Sequence, residues 1–165
     1  MSAQILNSNQ SLSCSDSIKV YTRQWANIGL GNSTDQIFNS LDGINLSVDY
    51  HWMPKRITYQ AGLNVTSEIL DGPTLNVLNA GIGKSLIFKR FLFSGLAGPA
   101  IMWGKNYDVA SNQEMQFVKP GLTISVEVII KVIKNLGLGL EFYTNLNEVQ
   151  NAAGVRLVLH LNNDK

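Results

Sequence analysis

Alternation of apolar and polar residues runs through most of this sequence. It is clearest from Ile44 to Trp52, where every second residue is apolar and the residues between are Asn, Ser, Asp and His. A period of two places the apolar side chains on one face of a β-strand. A second alternating run over 57–66 follows a turn at 53–56, in which Pro54 cannot continue a strand ladder. The two runs predict an antiparallel hairpin.

Six further strands are predicted along the chain. One opens the domain over 18–30, and the others begin near Leu78, Phe91, Leu122, Leu136 and Val155. The strand from Phe91 to Trp103 is apolar on both faces, so its sides stay unassigned, and Val158 is the one exception in the last strand. Eight strands in simple succession predict an all-β fold, an eight-stranded antiparallel up-and-down barrel, because closure leaves no exposed edge.

The barrel domain is expected to span residues 18–162. A Ser-, Asn- and Gln-rich segment at 1–17 is expected to form a flexible arm, and 163–165 a polar tail. Ser2 and Ala3 resemble the end of a signal-peptide cleavage site, although no apolar segment precedes them. Residues 1–3 are therefore either a signal-peptide remnant or a chance match.

Composition and motifs exclude several function classes. Lys and Arg number 13 against 12 Asp and Glu, so no strongly basic surface for a nucleic acid is expected. The single cysteine, Cys14, cannot form an internal disulfide or a structural zinc site, and a free thiol is a simpler reading than a lipid anchor. Residues 81–85 contain Gly-Lys-Ser without the first glycine of a phosphate-binding loop. We expect no nucleic-acid partner, cofactor or metal.

Alternation alone does not say which face of the barrel is apolar. An inward apolar face would give a soluble lipocalin-like carrier of an apolar ligand, and an outward one a transmembrane barrel. The polar faces hold mainly Asn, Ser, Thr, Gln and Gly rather than the Lys and Glu of a water-exposed wall. Small polar residues suit a narrow barrel interior. The transmembrane barrel is favoured, and the soluble barrel stays as the alternative.

The connections favour the same orientation. Short turns at 53–56, 87–90 and 131–135 alternate with longer loops at 31–42, 67–74, 104–116 and 146–152. The short turns carry only bases: Lys55, Arg56, Lys89, Arg90, Lys131 and Lys134. Against one base, Lys105, the long loops carry these acids: Asp35, Asp42, Glu68, Asp71, Asp108, Glu114 and Glu148. Short turns at one rim, long loops at the other, and unlike charges on the two rims are expected of a barrel between two different membrane faces.

The pattern over 18–162 resembles the small outer-membrane β-barrels of Gram-negative bacteria, of the OmpA/OmpX-like kind. The resemblance is most evident in Gly-Leu-Gly-Leu-Glu-Phe at 137–142 and in Gly-Val-Arg-Leu-Val-Leu-His-Leu at 154–161. It implies an integral outer-membrane protein with both termini in the periplasm. The chain departs from that family at Leu161, since an aromatic residue usually occupies the last apolar position.

Charges inside so small a barrel must be paired, because an unpaired buried charge is costly. Glu141 and Arg156 lie at mirror positions about a loop centred near 148–149, so we expect them to form an ion pair across adjacent strands. The predicted lumen charge network also includes Asp49, Glu127, Arg23 and Lys19. Its expected role is to seal the lumen and fix the strand register. A gated ion path is the less favoured alternative.

Aromatic residues near the strand ends are candidates for membrane-interface girdles. They are Tyr50, Trp52, Phe91, Trp103 and Phe142. Such girdles flank the apolar band of transmembrane barrels. The competing reading is the general preference of aromatic residues for strands.

Two histidines raise the question of catalysis. A nucleophile such as Ser47 or Ser125 would need an adjacent histidine and an orienting acid. His51 and His160 map near the short-turn rim, where hydrogen bonding inside the lumen is the favoured role. We expect no catalytic residue, and a lipid-modifying enzyme remains as an alternative.

The sequence thus predicts a non-enzymatic outer-membrane barrel with a plugged polar lumen. Its partners would be the lipid bilayer and other outer-membrane proteins, docked through its wall or its long loops, chiefly 31–42 and 104–116. Nothing in the sequence identifies a particular partner or process.

Overall fold

The computed structural model describes residues 24–33, 43–55, 57–68, 73–108 and 113–162. Eight β-strands lie in these ranges: β1 (Gln24–Ser33), β2 (Gly43–Trp52), β3 (Ile57–Ser67), β4 (Thr74–Phe88), β5 (Phe91–Asp108), β6 (Gln113–Ile133), β7 (Leu136–Leu146) and β8 (Ala152–Asn162). None of the described residues forms a helix long and apolar enough to span a membrane.

The strands form a closed antiparallel barrel in which each strand pairs with its neighbours in sequence. Closure is made by β1 and β8, whose register runs from Trp25 opposite Asn162 to Ser33 opposite Gly154. The first described residue of β1 and the last of β8 therefore lie at one rim. The short turns lie at this same rim, because β1 begins and β2 ends there.

The apolar face of the barrel points outward. Leu157 is 69% exposed, whereas its neighbours Arg156 and Val158 are each 1% exposed. The same alternation repeats along β2 and β3, whose buried positions hold Asn, Ser, Asp, His, Thr and Gln. A lipocalin-like carrier needs the opposite arrangement, so the soluble alternative is excluded.

Strands β5 and β6 are longer than the sequence suggested. The expected loop at 104–116 is wrong in extent, because β5 continues to Asp108 and β6 begins at Gln113 rather than near Leu122. Their backbones pair along this whole stretch, ending with Asp108 opposite Gln113. The polar residues that indicated a loop lie in strands because β5 and β6 pair with each other here, where they extend beyond the rest of the barrel.

Strand β5, whose faces the sequence left unassigned, points its even-numbered residues from Leu92 to Met102 inward. Leu92, Ser94, Leu96, Ala100 and Met102 are buried. The exposed Phe91, Phe93 and Ile101 of β5 belong to the outer apolar wall.

The opening strand, β1, continues past residue 30 to Ser33, and its predicted start at residue 18 lies outside the described residues.

The lumen has three layers. An apolar cluster near the short-turn rim contains Trp25, Met53, Leu92, Ile129 and Val158. A second cluster toward the long-loop rim contains Leu75, Val77, Ala100, Met102, Tyr143 and Ala152, with Phe117 packed against it. Val158, the exception to the alternation, is thus an inward residue that packs in the first cluster. Between the clusters lies a layer of buried polar and charged side chains.

Two glycines make space for the charged side chains of that layer. A Cβ at Gly29 would lie 2.5 Å from Ser47 Oγ and 3.1 Å from Arg156 Cδ. A Cβ at Gly62 would lie 2.0 Å from Asp49 Oδ1. Any larger residue at either position would displace a polar side chain of the lumen.

Candidate functional site

Arg156 of β8 contacts several side chains in the part of the polar layer nearer the long-loop rim. Its Nη2 donates to Glu141 Oε1 at 2.7 Å, and both side chains are almost fully buried. Nη1 donates to Asn45 Oδ1 at 3.2 Å and also to Asn64 Oδ1. The guanidinium carbon lies 4.3 Å from the ring centroid of Tyr143. One guanidinium thus connects side chains from four other positions around the barrel, on strands β2, β3 and β7.

Strand register brings Glu141 to Arg156. The two residues are directly opposed in the β7–β8 pair, and both side chains point inward. Glu141 is also opposed to Glu127 in the β6–β7 pair. Two carboxyl groups on adjacent strands therefore flank the lumen beside a single described guanidinium.

Asn27 of β1 contacts three side chains in the part of the polar layer nearer the short-turn rim. Its Nδ2 donates to Glu127 Oε2 at 2.7 Å and lies 3.3 Å from His51 Nε2, while its Oδ1 lies 2.9 Å from His160 Nδ1. An amide nitrogen donates and an amide oxygen accepts, so His51 Nε2 is an acceptor and His160 Nδ1 a donor. This one amide sets the roles of both histidine nitrogens.

Trp25 covers the histidines from the short-turn side. Its ring stacks on His51 with centroids 5.0 Å apart and an interplanar angle of 9°, and lies 5.9 Å from His160. Trp25 belongs to the apolar cluster at that rim. The histidine pair is therefore enclosed between an indole and the polar layer.

Further hydrogen bonds extend the layer around the wall. Gln60 Nε2 donates to Asp49 Oδ1 at 2.8 Å, which places Asp49 in the layer. Thr58, Ser85 and Ser94 form a hydroxyl chain with oxygen separations of 2.6 and 2.9 Å. Of the six residues of the predicted network, the structure thus describes Glu141, Arg156, Asp49 and Glu127, while Arg23 and Lys19 lie outside the described residues.

The contacts described for the two histidines are those with Asn27 and Trp25. Ser47 Oγ has no hydrogen-bond partner among the described residues, and His51 Nε2 and His160 Nδ1 both contact Asn27. Within the described part of the chain, no group of three or more His, Cys, Asp or Glu side chains is placed to hold a metal ion.

The predicted girdle residues all lie on the outer wall. Trp52 ends β2 and its ring lies 5.6 Å from that of Tyr59, while Phe91 begins β5 and stacks on Phe93 at 6.1 Å. Tyr50 is exposed two positions above Trp52. These side chains form an aromatic group near the short-turn rim. Tyr59 and Phe93 also belong to this group, although the sequence analysis did not predict them.

The other two predicted girdle residues lie farther from that rim. Trp103 is opposite Asn76, near the start of β4, and so lies toward the long-loop rim. Phe142 is exposed within β7, four positions before its end at Leu146.

An exposed ion pair lies at the long-loop rim. Lys119 Nζ of β6 contacts a carboxylate oxygen of Glu148 in the connection before β8. The hydrogen bond and the charge of Lys119 hold the pKa of Glu148 below its usual value. Extension of β6 brings Lys119 to this rim, so the described long-loop rim carries a second base beside Lys105.

The sequence reading missed the amide residues Asn27, Asn45 and Asn64. Their inward position follows from the alternation, and each is buried to 1% exposure or less. Some of their partners lie on the adjacent strand, as in the contact of Asn45 with Thr66. Others lie across the lumen, as in the contact of Asn27 with Glu127, and strand register predicts only neighbours within the wall. Cross-lumen contacts had no signal in the sequence.

Fold and wall together define the class: an eight-stranded transmembrane β-barrel of the outer-membrane type. Neisserial surface protein A is similar in structure, with a TM-score of 0.64 at 9% identity over 85% of this chain and 96% of that one. The N-terminal barrel of Pseudomonas aeruginosa OprF gives a TM-score of 0.66 at 8% identity over 86% and 98%. The attachment invasion locus protein Ail of Yersinia pestis gives 0.54 at 11% identity over 84% and 96%.

No protein-family model and no curated protein sequence matches the chain. The similarity to the three barrels is therefore one of fold, since all three identities are far below the level at which sequence relationship carries function.

Proposed function

We propose that this chain is an integral protein of a bacterial outer membrane. The observation that carries the proposal is the outward apolar face of the closed barrel, which includes Ile28, Val48, Leu63, Val126 and Leu157. Such a surface is stable in lipid and prone to aggregation in water. In the proposed orientation the short-turn rim, with both ends of the described barrel, faces the periplasm.

The lumen is proposed to be sealed rather than conducting. Two apolar clusters lie inside it, one toward each rim, and the Arg156 and Asn27 contacts cross it between them, which supports the proposal. Eight-stranded barrels have an interior just wide enough for side chains to fill. We expect planar-bilayer recordings of the purified barrel to show no sustained open channel, and steady ohmic conductance would contradict a sealed lumen.

The proposed role is non-enzymatic docking at the long-loop rim. Strand β6 extends nine residues, Gln113–Gly121, beyond its last pair with β7, so one edge of this extension has no partner strand among the described residues. Val118 on the extension is 71% exposed. A depression of about 340 Å³ lies beside it, lined by Thr74, Asn76, Trp103, Lys105, Gln116 and Val118. Free strand edges and exposed apolar side chains favour contact with another protein.

Membrane location is tested by fractionation and electrophoresis. Cell envelopes are separated by density into inner and outer membranes, and the extracted protein is run in dodecyl sulfate with and without boiling. The proposal expects the protein in the outer-membrane fraction and a change of mobility on boiling. Recovery in the soluble fraction without a mobility change would overturn it.

Docking is tested with a photo-crosslinking residue at Val118, and with the same residue at the lipid-facing Leu157 as the control. The proposal expects a discrete protein adduct from position 118 only. Equal labelling at both positions, or none at 118, would overturn docking at this rim without affecting the membrane assignment.

A further inference from the structure

The β4–β5 hairpin carries a charge within the apolar wall. Lys84 is exposed, lies opposite Ile57 on one side and Gly95 on the other, and falls between the exposed side chains of Ile82 and Leu86 on its own strand. A lysine on the lipid face destabilises a barrel more the deeper it lies. Lys84 therefore needs a solvent or anionic partner near the membrane surface.

The described part of the chain shows no such partner for Lys84. Among the described outward-facing residues of β3 to β6 in the short-turn half of the barrel, none is an aspartate or glutamate. Two more bases, Lys89 and Arg90, form the tip of this hairpin. The hairpin thus presents three positive charges with no acid among the described outward residues around them, an arrangement that favours an anionic ligand.

Aromatic side chains lie beside these bases. Lys89 Nζ is 5.5 Å from the ring centroid of Phe88, which is 64% exposed. Phe91 and Phe93 stack on the next strand at 6.1 Å. Bases beyond a group of exposed aromatic rings are the arrangement expected where acyl chains give way to charged headgroups.

Beside Lys84 the outward face of β5 carries two small residues, Gly95 and Ala97. A Cβ at Gly95 would have no atom within 4 Å, and Ala97 is the next outward residue. Ile82 of β4 and Ile124 of β6 are opposed to Ala97 and form the two sides of the groove. The small residues between these larger apolar side chains leave a shallow groove next to Lys84, which one extended acyl chain can occupy.

We propose that the β4–β5 hairpin binds one anionic phospholipid of the membrane leaflet at the short-turn rim. Lys84, Lys89 and Arg90 hold the phosphate, and an acyl chain lies over Gly95 and Ala97 between the two isoleucines. Charge complementarity and the adjoining apolar groove select this ligand over free phosphate, which needs no groove. The inference rests on the proposed membrane location.

The test is native mass spectrometry of the full-length barrel with phosphatidylglycerol or phosphatidylcholine added. We expect one phosphatidylglycerol retained in preference to phosphatidylcholine. In the variant Lys84→Gln/Lys89→Asn/Arg90→Gln, retention should fall at least tenfold. Asparagine is used at Lys89 because φ there is 55°, a conformation that asparagine tolerates. The control Lys55→Gln/Lys134→Gln, which removes two positive charges at other turns of the rim, should keep the lipid.

A second variant separates the groove from the charge. Gly95→Leu fills the groove and leaves all three bases, so retention should fall severalfold while the barrel stays folded. Equal binding of the two lipids, equal loss in the Lys55/Lys134 control, full displacement by inorganic phosphate, or normal retention by Gly95→Leu would each overturn the inference.

Insertion is measured separately, in phosphatidylcholine vesicles, by the mobility change on boiling. Wild-type protein that fails to insert overturns the proposed membrane location and this inference with it. Protein that inserts but shows no lipid preference overturns this inference alone.

Discussion

Single inward residues differ in how far the sequence predicts them. The sequence predicts the pairing of Glu141 with Arg156 because both residues belong to one hairpin, and the structure contains this ion pair. Asn27 could not be placed as the partner of Glu127, because β1 and β6 face each other across the lumen rather than along a ladder. Pairing within a hairpin follows from the positions of its residues relative to the turn, whereas packing across a barrel depends on side-chain length and strand offset.

Glu141→Gln tests the buried ion pair. The substitution leaves the guanidinium of Arg156 buried without its charged partner, so the free energy of unfolding in vesicles should fall by about 3 kcal/mol. The measurement is urea-dependent unfolding followed by tryptophan fluorescence.

Glu127→Gln is the matched control for that experiment. The glutamine carbonyl can still accept from Asn27, so the loss should stay below about 1.5 kcal/mol. A larger effect at Glu127 than at Glu141 would contradict the role given to the Arg156 pair.

Lys119→Gln tests the exposed pair at the long-loop rim. Removing the lysine should raise the pKa of Glu148 toward its usual value, as measured by NMR titration of the carboxyl carbon. Because the pKa of Glu148 is lowered in the folded state, its stabilising effect is present above the ordinary glutamate range and disappears as pH falls through the lowered pKa. An unchanged pKa in the variant would show that the pair does not form in solution.

Strands were predicted well where one face is polar and less well elsewhere. In β2 and β3 the strict alternation predicts both the strand and its inward face, and the structure agrees. In β5 two apolar faces concealed the orientation, because inward Leu92 and Leu96 belong to the lumen packing rather than to the wall. The extension of β6 lies among residues of loop-like composition, stabilised by pairing with β5.

Leu140→Asn tests the outward face of a strand. Leu140 is exposed on β7, so the asparagine would face lipid and should lower the free energy of unfolding in vesicles by about 1–2 kcal/mol, less than a charge at mid-membrane. The folded fraction is measured from the unboiled band in electrophoresis. Leu140→Val, which keeps the side chain apolar, should insert like the wild type, and normal insertion of Leu140→Asn would contradict the assigned face.

At the scale of the molecule, the two rims of the barrel differ in charge. The short-turn rim carries Lys55, Lys89, Arg90 and Lys134 without a described acid on its outer surface, whereas the other rim pairs Lys119 with Glu148. The sequence predicted the barrel and its outward face from period, loop lengths and charge. It did not predict the apolar clusters that enclose the polar layer, because they combine residues from strands distant in sequence.

The most direct test of the central claim uses the protein's own tryptophans. Trp25 and Trp52 lie on adjacent strands near one rim, where Trp25 is opposite His51, the residue before Trp52, and the two rings point to opposite faces. Each is kept alone by Trp→Phe changes at the other two tryptophan positions, and its fluorescence is measured in vesicles of lipid brominated near the headgroup. An outward apolar face predicts strong quenching of Trp52 and little quenching of Trp25. Quenching of Trp25 with protection of Trp52 would contradict the account.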